Sequence, residues 1–306
     1  MNFQIVFMGS PEFALPTLRA LAKEYKVTGV VTQPDRPAGR GRDLTPPPVK
    51  KLAEELGLPT IQPQRLRDPD AMDQLREWNP DLIVVAAFGQ ILRQDVLSLP
   101  RFGCVNVHAS LLPRWRGAAP IQAAILHGDE QTGVTIMCMD AGVDTGPMLA
   151  QAPTKILETD TAGTLSARLA ELGAQLLIQT LPKYLSGELT PTAQDDSQAT
   201  YAPMLKKEDG LLDFNRPAQE LALRVRAFNP WPGTFTYWEN QVLKIHRAHA
   251  VQSTSPKPGA ALIHDGMPAF GTLEGLLVLD EVQPAGKRPM PGEVFLRGAR
   301  HWGQGA

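Results

Sequence analysis

Short apolar runs alternate with helix-like stretches along the first two-thirds of the chain, and this pattern limits the possible folds more than any other feature. The runs are rich in β-branched residues, several lack polar alternation, and they lie at residues 3–8, 27–32, 81–88, 103–108 and 134–139. Such runs are typical of strands in a parallel sheet that is covered on both faces. The helix-like stretches lie between them, at residues 11–22, 49–56, 69–78 and 120–126. The alternation predicts a doubly wound α/β domain, whose ligands bind at the carboxyl ends of the strands.

The last third of the chain has a different pattern. Leucines at helical spacing predict a long helix over residues 161–185, and residues 187–202 then have the Gly, Thr, Pro, Gln, Asp and Ser content of a linker. A short helix is predicted at 217–227, followed by strands at 234–239, 242–248, 259–264, 268–272 and 276–282. Short strands separated by Gly and Pro predict a small β-barrel. We place the first domain at residues 1–189, the linker at 190–205 and the second domain at 206–306.

Composition sets the class and compartment of the protein. Of its 306 residues, 43% are hydrophobic and 20% are charged, which is ordinary for a globular domain with a real core. The two cysteines lack metal-ligand spacing, so we expect no metal site, no disulfide framework and a reducing compartment. No signal peptide is apparent, and the longest apolar run is far shorter than the roughly 20 residues needed to cross a bilayer. A cytoplasmic location without membrane contact is expected. The net charge of −2 leaves room only for a local basic surface.

Three polar residues lie at the end of one predicted strand or shortly after the next one. Asn106 and His108 alternate on one strand, so their side chains project to the same side. Asp144 lies in the glycine-rich segment 140–146, directly after the next predicted strand. Taken singly, a histidine at a strand end is more often a structural hydrogen-bonding residue, and Asn or Asp in such places is more often a turn former. One strand–helix–strand unit separates them, so neighbouring strand ends could bring all three together.

The sequence around these residues closely resembles the signature of methionyl-tRNA formyltransferases. The strongest match is the run Asn-Val-His-Ala-Ser-Leu-Leu-Pro-Arg-Trp-Arg-Gly-Ala-Ala-Pro at 106–120, and a second is Gly-Val-Thr-Ile-Met at 133–137 leading to Asp-Ala-Gly-Val-Asp-Thr-Gly at 140–146. Further matches lie at 32–41, 226–232 and 283–287. The resemblance extends from about residue 3 to residue 293, and the tail after Gly292 resembles nothing that we can place.

The resemblance implies a fold, a reaction and a catalytic set. The fold is a Rossmann-like, mostly parallel formyltransferase domain followed by a small OB-like β-barrel. The reaction transfers the formyl group of 10-formyltetrahydrofolate to the α-amino group of methionine on initiator methionyl-tRNA, for translation initiation. Asn106, His108 and Asp144 correspond to the catalytic residues of the family. Four residues are expected to lie against the reduced folate: Ser110, Leu111, Leu112 and Pro113.

The resemblance also implies where tRNA binds. The family's loop that matches residues 33–49 inserts into the acceptor stem, which makes Arg36, Arg40 and Arg42 candidate readers of the initiator tRNA. We expect this Gly- and Pro-rich loop to be poorly ordered in the free protein. The second domain is expected to hold the tRNA away from the chemistry. Its candidate contacts are Lys206, Lys207, Lys244, Arg247 and Lys287. A monomer is expected.

The candidate residues suit formyl transfer chemically. An α-amino group has a pKa of roughly 7.7–8.0, so part of it is already neutral near pH 7 and no strong base is required. The harder task is to stabilise the oxyanion and to move a proton from the attacking nitrogen to the departing one. An Asn amide and a His N–H can each donate to an oxyanion, a contact worth about 3–4 kcal/mol when one donor is lost. Asp144 would orient the imidazole or relay protons through water.

Other functions remain open at this stage. The wider formyltransferase superfamily shares the Asn, His and Asp set, so a small-amine substrate such as an amino-sugar nucleotide or a ribonucleotide amine is the main alternative. The arginine–glycine loop and the barrel argue against it. A catalytically silent RNA-binding protein is disfavoured by the intact set. A dinucleotide enzyme is disfavoured because only Gly9 of the glycine fingerprint is present and Pro11 occupies its third position.

Overall fold

The computed structural model describes residues 3–38, 43–254 and 257–304, which form two compact units. The first unit comprises residues up to 120 together with 131–155 and 166–201. The second comprises 121–130, 156–165 and the residues from 202 onward. Each unit therefore takes in more than one stretch of sequence. The simple succession of domains predicted at 1–189, 190–205 and 206–306 stays a prediction.

The first unit is built on a seven-stranded sheet with the strand order β10-β9-β7-β6-β1-β2-β5. Strands in this part of the chain are β1 (Gln4–Gly9), β2 (Lys26–Val31), β3 (Arg36–Ala38), β4 (Asp43–Thr45), β5 (Thr60–Ile61), β6 (Leu82–Ala86), β7 (Cys104–His108), β8 (Arg116–Gly117), β9 (Gln131–Cys138), β10 (Met148–Lys155) and β11 (Tyr201–Ala202). The five strands from β7 to β5 pair in parallel, which confirms the mostly parallel sheet. The centre of this sheet is apolar, since every residue of β6 is buried.

The predicted helices are present near their expected positions, together with two that the sequence analysis did not predict, at Gln94–Leu97 and Gly292–Gly298. They are α1 (Leu15–Glu24), α2 (Pro48–Glu55), α3 (Pro69–Trp78), α4 (Gln94–Leu97), α5 (Pro120–Leu126), α6 (Ala162–Leu185), α7 (Ala218–Ala227) and α8 (Gly292–Gly298). The predicted first helix begins later than expected, because a separate 3-10 turn occupies Glu12–Ala14. Pro16 lies in the first turn of α1, where its missing N–H has no helical partner to lose. No helix among the described residues is long and apolar enough to cross a membrane.

One part of the predicted topology is wrong. Strand β9 runs antiparallel to β7, and β10 runs antiparallel to β9, so no parallel crossover separates His108 from Asp144. The register places His108 opposite Thr135 and Val105 opposite Cys138. The carboxyl end of β9 therefore lies beside the amino end of β7, away from His108. Periodicity predicted both strands but carries no information about their relative direction.

The segment predicted as a linker packs on the first unit. Thr192 and Met148 exchange backbone hydrogen bonds at 2.7 and 2.8 Å, and residues Asp196–Gln198 form a 3-10 turn. The Thr200 carbonyl then accepts from the Arg116 N–H at 2.9 Å. These backbone hydrogen bonds fix a segment whose polar composition is typical of a linker.

The second unit contains the predicted β domain. Its strands are β12 (Thr234–Trp238), β13 (Gln241–Val251), β14 (Ala261–His264), β15 (Met267–Gly271), β16 (Leu276–Pro284) and β17 (Met290–Pro291). They form an antiparallel sheet in the order β12-β13-β16-β15-β14, with β17 paired to β16. The unplaced tail completes its core, since Trp302 is 3% exposed and its Nε1–H donates to the Leu262 carbonyl at 2.7 Å.

The arginine–glycine segment is partly regular. Strands β3 and β4 pair antiparallel on either side of it, and α2 begins at Pro48, so the flanks have regular secondary structure. The expected poor order of the loop stays a prediction. The Asp35 carboxylate anchors the base of the segment, accepting from Lys50 at 2.8 Å and from Gln62 at 2.6 Å. Arg40 and Arg42 lie outside the described residues.

Candidate active site

Strand β7 presents Asn106 and His108 on one side of the sheet. They are two residues apart, and the intervening Val107 is buried on the other side. The strand lies between β6 and β9, so its backbone is fixed on both edges. His108 ends the strand and is only 6% exposed, while Asn106 is half-buried. These two side chains therefore occupy a protected position near the carboxyl end of a central strand.

Asp144 reaches the same place by a loop and not by a strand end. The loop returns from Cys138 towards β10 and is shaped by Asp140, whose Oδ1 accepts from the Gly142 N–H at 3.0 Å and from Thr145 Oγ1 at 2.7 Å. A side chain at Gly146 would overlap the Cys138 carbonyl oxygen, so only glycine permits this close return. Asp144 itself adopts a left-handed backbone conformation with a φ of 52°. Residues with a side chain disfavour this conformation, so surrounding contacts must hold it.

The loop brings the Asp144 carboxylate against the two β7 side chains. The Asn106 Nδ2 donates to Asp144 Oδ1 at 3.4 Å, and His108 Nδ1 lies 3.6 Å from Asp144 Oδ2. The Gly117 N–H also donates to Oδ2, at 2.9 Å. The three residues singled out in the sequence therefore meet, although the parallel-strand geometry invoked for them was wrong.

The hydrogen-bond partners of His108 define its neutral tautomer. His108 Nε2 lies 3.0 Å from the Trp115 carbonyl oxygen, which can only accept. A neutral imidazole has one N–H, so the ring carries it on Nε2 and leaves Nδ1 without a hydrogen. Nδ1 is also the nitrogen that faces Asp144. The N–H predicted to stabilise an oxyanion is thus occupied by the Trp115 carbonyl in this state, and Nδ1 is the atom free to take a proton.

The four predicted folate residues divide into two roles. Ser110 and Leu112 are buried and shape the turn: Ser110 Oγ donates to the Arg114 carbonyl at 2.6 Å, and the Leu112 N–H donates to Thr135 Oγ1 at 3.0 Å. Leu111 and Pro113 keep part of their surface exposed. Thr135 also donates to the Ser110 carbonyl at 2.7 Å. Thr135 was missed from the sequence because its place opposite His108 follows from the antiparallel register.

A buried arginine and a glutamine support the site, and sequence reasoning did not assign either of them a role. Arg116 is 2% exposed and donates to Gln194 Oε1 and to the Asp196 carboxylate, at 2.9 and 2.7 Å from Nη2. Gln194 Nε2 donates in turn to the carbonyl oxygens of Asp144 and Gly146, at 2.8 and 2.7 Å. Arg116 stands inside the recognised signature, whereas Gln194 lies in the presumed linker, where no local pattern marks it.

The Cys104 thiol, on the same strand as Asn106 and His108, is not activated as a nucleophile. Cys104 lies on β7 and is 2% exposed. Burial raises the pKa of its thiol to about 12, so the thiolate form is scarce near neutral pH. Burial also raises the pKa of Cys138, which lies 3.6 Å from the Tyr184 hydroxyl. Neither cysteine has the features of a nucleophile.

The basic candidates for RNA contact are exposed. Lys244 and Arg247 are three apart on β13, and the register shifts at residues 245–248 let both side chains reach solvent while Ile245 and Ala248 stay buried. Within the described part of the chain, no acidic group forms an ion pair with the side chain of Lys206, Lys207, Lys244, Arg247 or Lys287. Arg36 is also exposed, and its Nη2 donates to Gln33 Oε1 at 3.1 Å. These side chains are accessible to phosphates.

Comparison with known proteins identifies the family to which the chain belongs. The formyl transferase family profile matches residues 1–181, and the formyl transferase C-terminal domain profile matches residues 204–300. The chain is 50% identical over 301 residues to the methionyl-tRNA formyltransferase of Citrifermentans bemidjiense, covering 97% of this chain and 94% of the relative. It is 51% identical over 298 residues to that of Myxococcus xanthus, covering 96% and 95%.

Solved structures share the fold at lower identity. HypX from Aquifex aeolicus, solved in complex with tetrahydrofolic acid, has a TM-score of 0.64 and 18% identity, with 98% of this chain and 48% of that chain covered. WlaRD, a sugar 3N-formyl transferase, has a TM-score of 0.67 and 16% identity, with 94% and 100% covered. Identities this low support the shared fold alone.

Proposed function

The chain belongs to the methionyl-tRNA formyltransferase family, and we propose that Asn106, His108 and Asp144 carry out its reaction. The protein transfers the formyl group of 10-formyltetrahydrofolate to the α-amino group of methionine on initiator methionyl-tRNA, the step that prepares this tRNA for translation initiation. The observation that carries the proposal is the meeting of the three side chains, with Asn106 and His108 at 3.4 and 3.6 Å from the Asp144 carboxylate. All three come from one chain, so a monomer suffices. A role in translation would place the protein in the cytoplasm.

The folate donor supplies the formyl carbon and takes up a proton on its nitrogen when it leaves. The methionine amine attacks that carbon, a carbon–nitrogen bond forms, and negative charge develops on the formyl oxygen. The Asn106 amide has two N–H donors, of which one is directed at Asp144, so the other can donate to the developing oxyanion. Such a donor is effective because β7 fixes it before the reaction begins.

Proton transfer falls to His108 and Asp144. The Trp115 carbonyl holds Nε2–H, which leaves Nδ1 to accept a proton from the attacking amine. Asp144 lies on the Nδ1 side and stabilises the positive ring that results. His108, directly or through a water, then returns the proton to the departing nitrogen. Because the amine loses one proton and the leaving group gains one, the enzyme ends as it began.

The binding residues follow from the same arrangement. Leu111 and Pro113 are the partly exposed members of the predicted folate segment, so we assign them direct contact and assign Ser110 and Leu112 the maintenance of the turn. Arg36, together with Arg40 and Arg42, is assigned to the tRNA acceptor end. Lys206, Lys207, Lys244, Arg247 and Lys287 are assigned to the tRNA phosphates. The exposure of these lysine and arginine side chains, and the absence of ion pairs between them and acidic groups in residues 3–38, 43–254 and 257–304, support this assignment.

One assay tests the substrate. Purified protein is given 10-formyltetrahydrofolate with charged initiator tRNA, with an amino-sugar nucleotide or with a ribonucleotide amine, and the formylated product is measured by mass spectrometry. Formylmethionine should form with a kcat/KM far above that for either small amine. Elongator methionyl-tRNA serves as the matched control for tRNA identity. A higher kcat/KM for a small amine would overturn the proposed function.

A further inference from the structure

Gln194 contacts the backbone of the loop that carries Asp144. Its amide nitrogen donates to two carbonyl oxygens on either side of Thr145, those of Asp144 and Gly146. Its amide oxygen accepts from the Nε and Nη2 of Arg116, at 3.0 and 2.9 Å. Both donors and both acceptor positions of this amide are therefore used. A side chain with every hydrogen bond satisfied has a single orientation.

Arg116 decides that orientation. A guanidinium can only donate, so the group of Gln194 that faces it must be the oxygen, and the nitrogen must face the loop. Arg116 cannot turn to solvent, because it is buried, and its remaining charge is met by Asp196 at 2.7 Å. A buried charge that lost these partners would be costly, so the arginine holds its place. Arg116 therefore fixes the amide oxygen of Gln194, and this directs the amide nitrogen at the Asp144 loop.

The hydrogen bonds from Gln194 support the loop at Asp144, the residue assigned to catalysis. The hydrogen bonds of Asp140 shape the outer part of the loop, at Gly142 and Thr145. Asp144 has a left-handed backbone, and the direction of its side chain depends on that conformation. Gln194 bonds the carbonyl of this residue and the carbonyl two residues on. These bonds oppose rotation of the backbone that would carry the carboxylate away from His108.

We propose that Gln194 is a positioning residue for formyl transfer, holding the Asp144 loop so that its carboxylate stays against Asn106 and His108. The proposal rests on the proposed function, because it takes Asp144 as catalytic. Gln194 touches no reacting atom and acts only through the loop. A misplacement of about 1 Å in a catalytic group can cost about a hundredfold in rate, and this sets the expected size of the effect. Substrate binding should be largely spared.

The first test compares three variants in a formylation assay with initiator methionyl-tRNA. Gln194→Ala removes all four hydrogen bonds. Gln194→Glu keeps an acceptor for Arg116 but removes both donors, so it preserves the buried arginine and keeps the test informative if the alanine variant folds poorly. Gln198→Ala is the matched control, because Gln198 is exposed on the same segment and its side-chain amide donates to the exposed Asp195, at 2.6 Å. Both Gln194 variants should lose about tenfold to a hundredfold in kcat, with KM for tRNA and folate changed less than about twofold.

The second test separates positioning from a general structural role. Single-turnover rates, with enzyme in excess, are measured for Gln194→Ala in the normal protein and in Asp144→Asn. If Gln194 acts through the Asp144 carboxylate, the second background should show little further loss. An equal fold-loss in both backgrounds, or an unchanged kcat in both Gln194 variants, would overturn the proposal. Full activity of Asp144→Asn alone would instead refute the catalytic assignment itself, so the two failures are distinguishable.

Discussion

Replacing Asp144 by asparagine tests the catalytic assignment with the smallest change in shape. The substitution exchanges one carboxylate oxygen for an NH₂ group and removes the negative charge. The remaining oxygen can keep the hydrogen bond from the Gly117 N–H, which is 2.9 Å long in the native protein. The new NH₂ then faces Asn106 Nδ2, so two donors meet where a donor and an acceptor met before. The loop should keep its fold while the chemistry is damaged.

The magnitude follows from the distance to His108. Two unit charges 3.6 Å apart attract by about 4.6 kcal/mol at an effective dielectric constant of about 20, which is the attraction available when the ring becomes positive. Since each 1.36 kcal/mol is tenfold in rate, this limit corresponds to a loss of about three powers of ten. The carboxylate is 17% exposed, so solvent screens part of the attraction. We expect kcat to fall by about a hundredfold to a thousandfold.

The assay measures formylation and binding separately. Steady-state formylation of initiator methionyl-tRNA gives kcat, and fluorescence anisotropy with labelled tRNA gives Kd, which should change little because the basic side chains are untouched. Asp73→Asn is the control, since Asp73 is a surface carboxylate of α3 paired with Arg76 at 2.7 Å. Retention of more than about a tenth of the activity, equivalent to a loss below about 1.4 kcal/mol, would refute the assigned trio.

Three further predictions concern the tRNA and the second unit. Arg40→Ala should strongly lower formylation of initiator tRNA while the weak formylation of a free methionine ester persists; an equal loss in both would mean that the loop shapes the active site. Lys207→Ala and Lys244→Ala should each lower the slope of log Kd for tRNA against log salt concentration by about one. Lys183→Ala, at an exposed lysine of α6, is the control and should leave the slope unchanged. An unaltered slope in either test variant would show that its lysine does not contact the tRNA. Trp302→Ala should lower the free energy of unfolding by about 3–5 kcal/mol in denaturant titration, because its ring packs on Trp238, Phe270 and Phe295; a loss below about 1 kcal/mol would show that the tail is dispensable.

Sequence periodicity predicted the elements of this protein better than their directions. The five apolar runs became β1, β2, β6, β7 and β9, and the strands of the second unit lie within a few residues of their predicted positions. Burial accounts for this success, because a strand covered on both faces must be apolar along its whole length. Strand direction depends on the path of the connecting chain, which no local pattern records. The antiparallel direction of β9, and the position of Thr135 opposite His108, could therefore not be predicted from the sequence.

The candidate site shows the same division. Asn106 and His108 could be paired from the alternation of a single strand, since their relation is local. Asp144 could be chosen from the resemblance. The loop conformation that places its carboxylate beside Asn106 and His108 depends on the tight turn at Gly146 and the left-handed backbone at Asp144. The turn at Gly146 depends on the close Cys138 carbonyl at the end of β9, and Asp144 is held by Gly117 and Gln194, which lie far from it in the sequence. The identity of the three residues could therefore be predicted from the sequence, whereas the loop conformation that brings them together could not.

The segment from Thr192 to Thr200 shows that a linker composition is compatible with a fixed structure. Polar residues, glycine and proline indicate a chain that cannot bury apolar surface, and such chains are usually mobile. Here the polar groups are used as partners: Asp196 neutralises the buried Arg116, Gln194 Oε1 accepts hydrogen bonds from it, and Thr200 Oγ1 accepts from the Trp115 N–H at 2.9 Å. Trp115 is also the residue whose carbonyl fixes His108. Because the segment contacts supports of both His108 and Asp144, its sequence is constrained by the chemistry as well as by the need to connect two units.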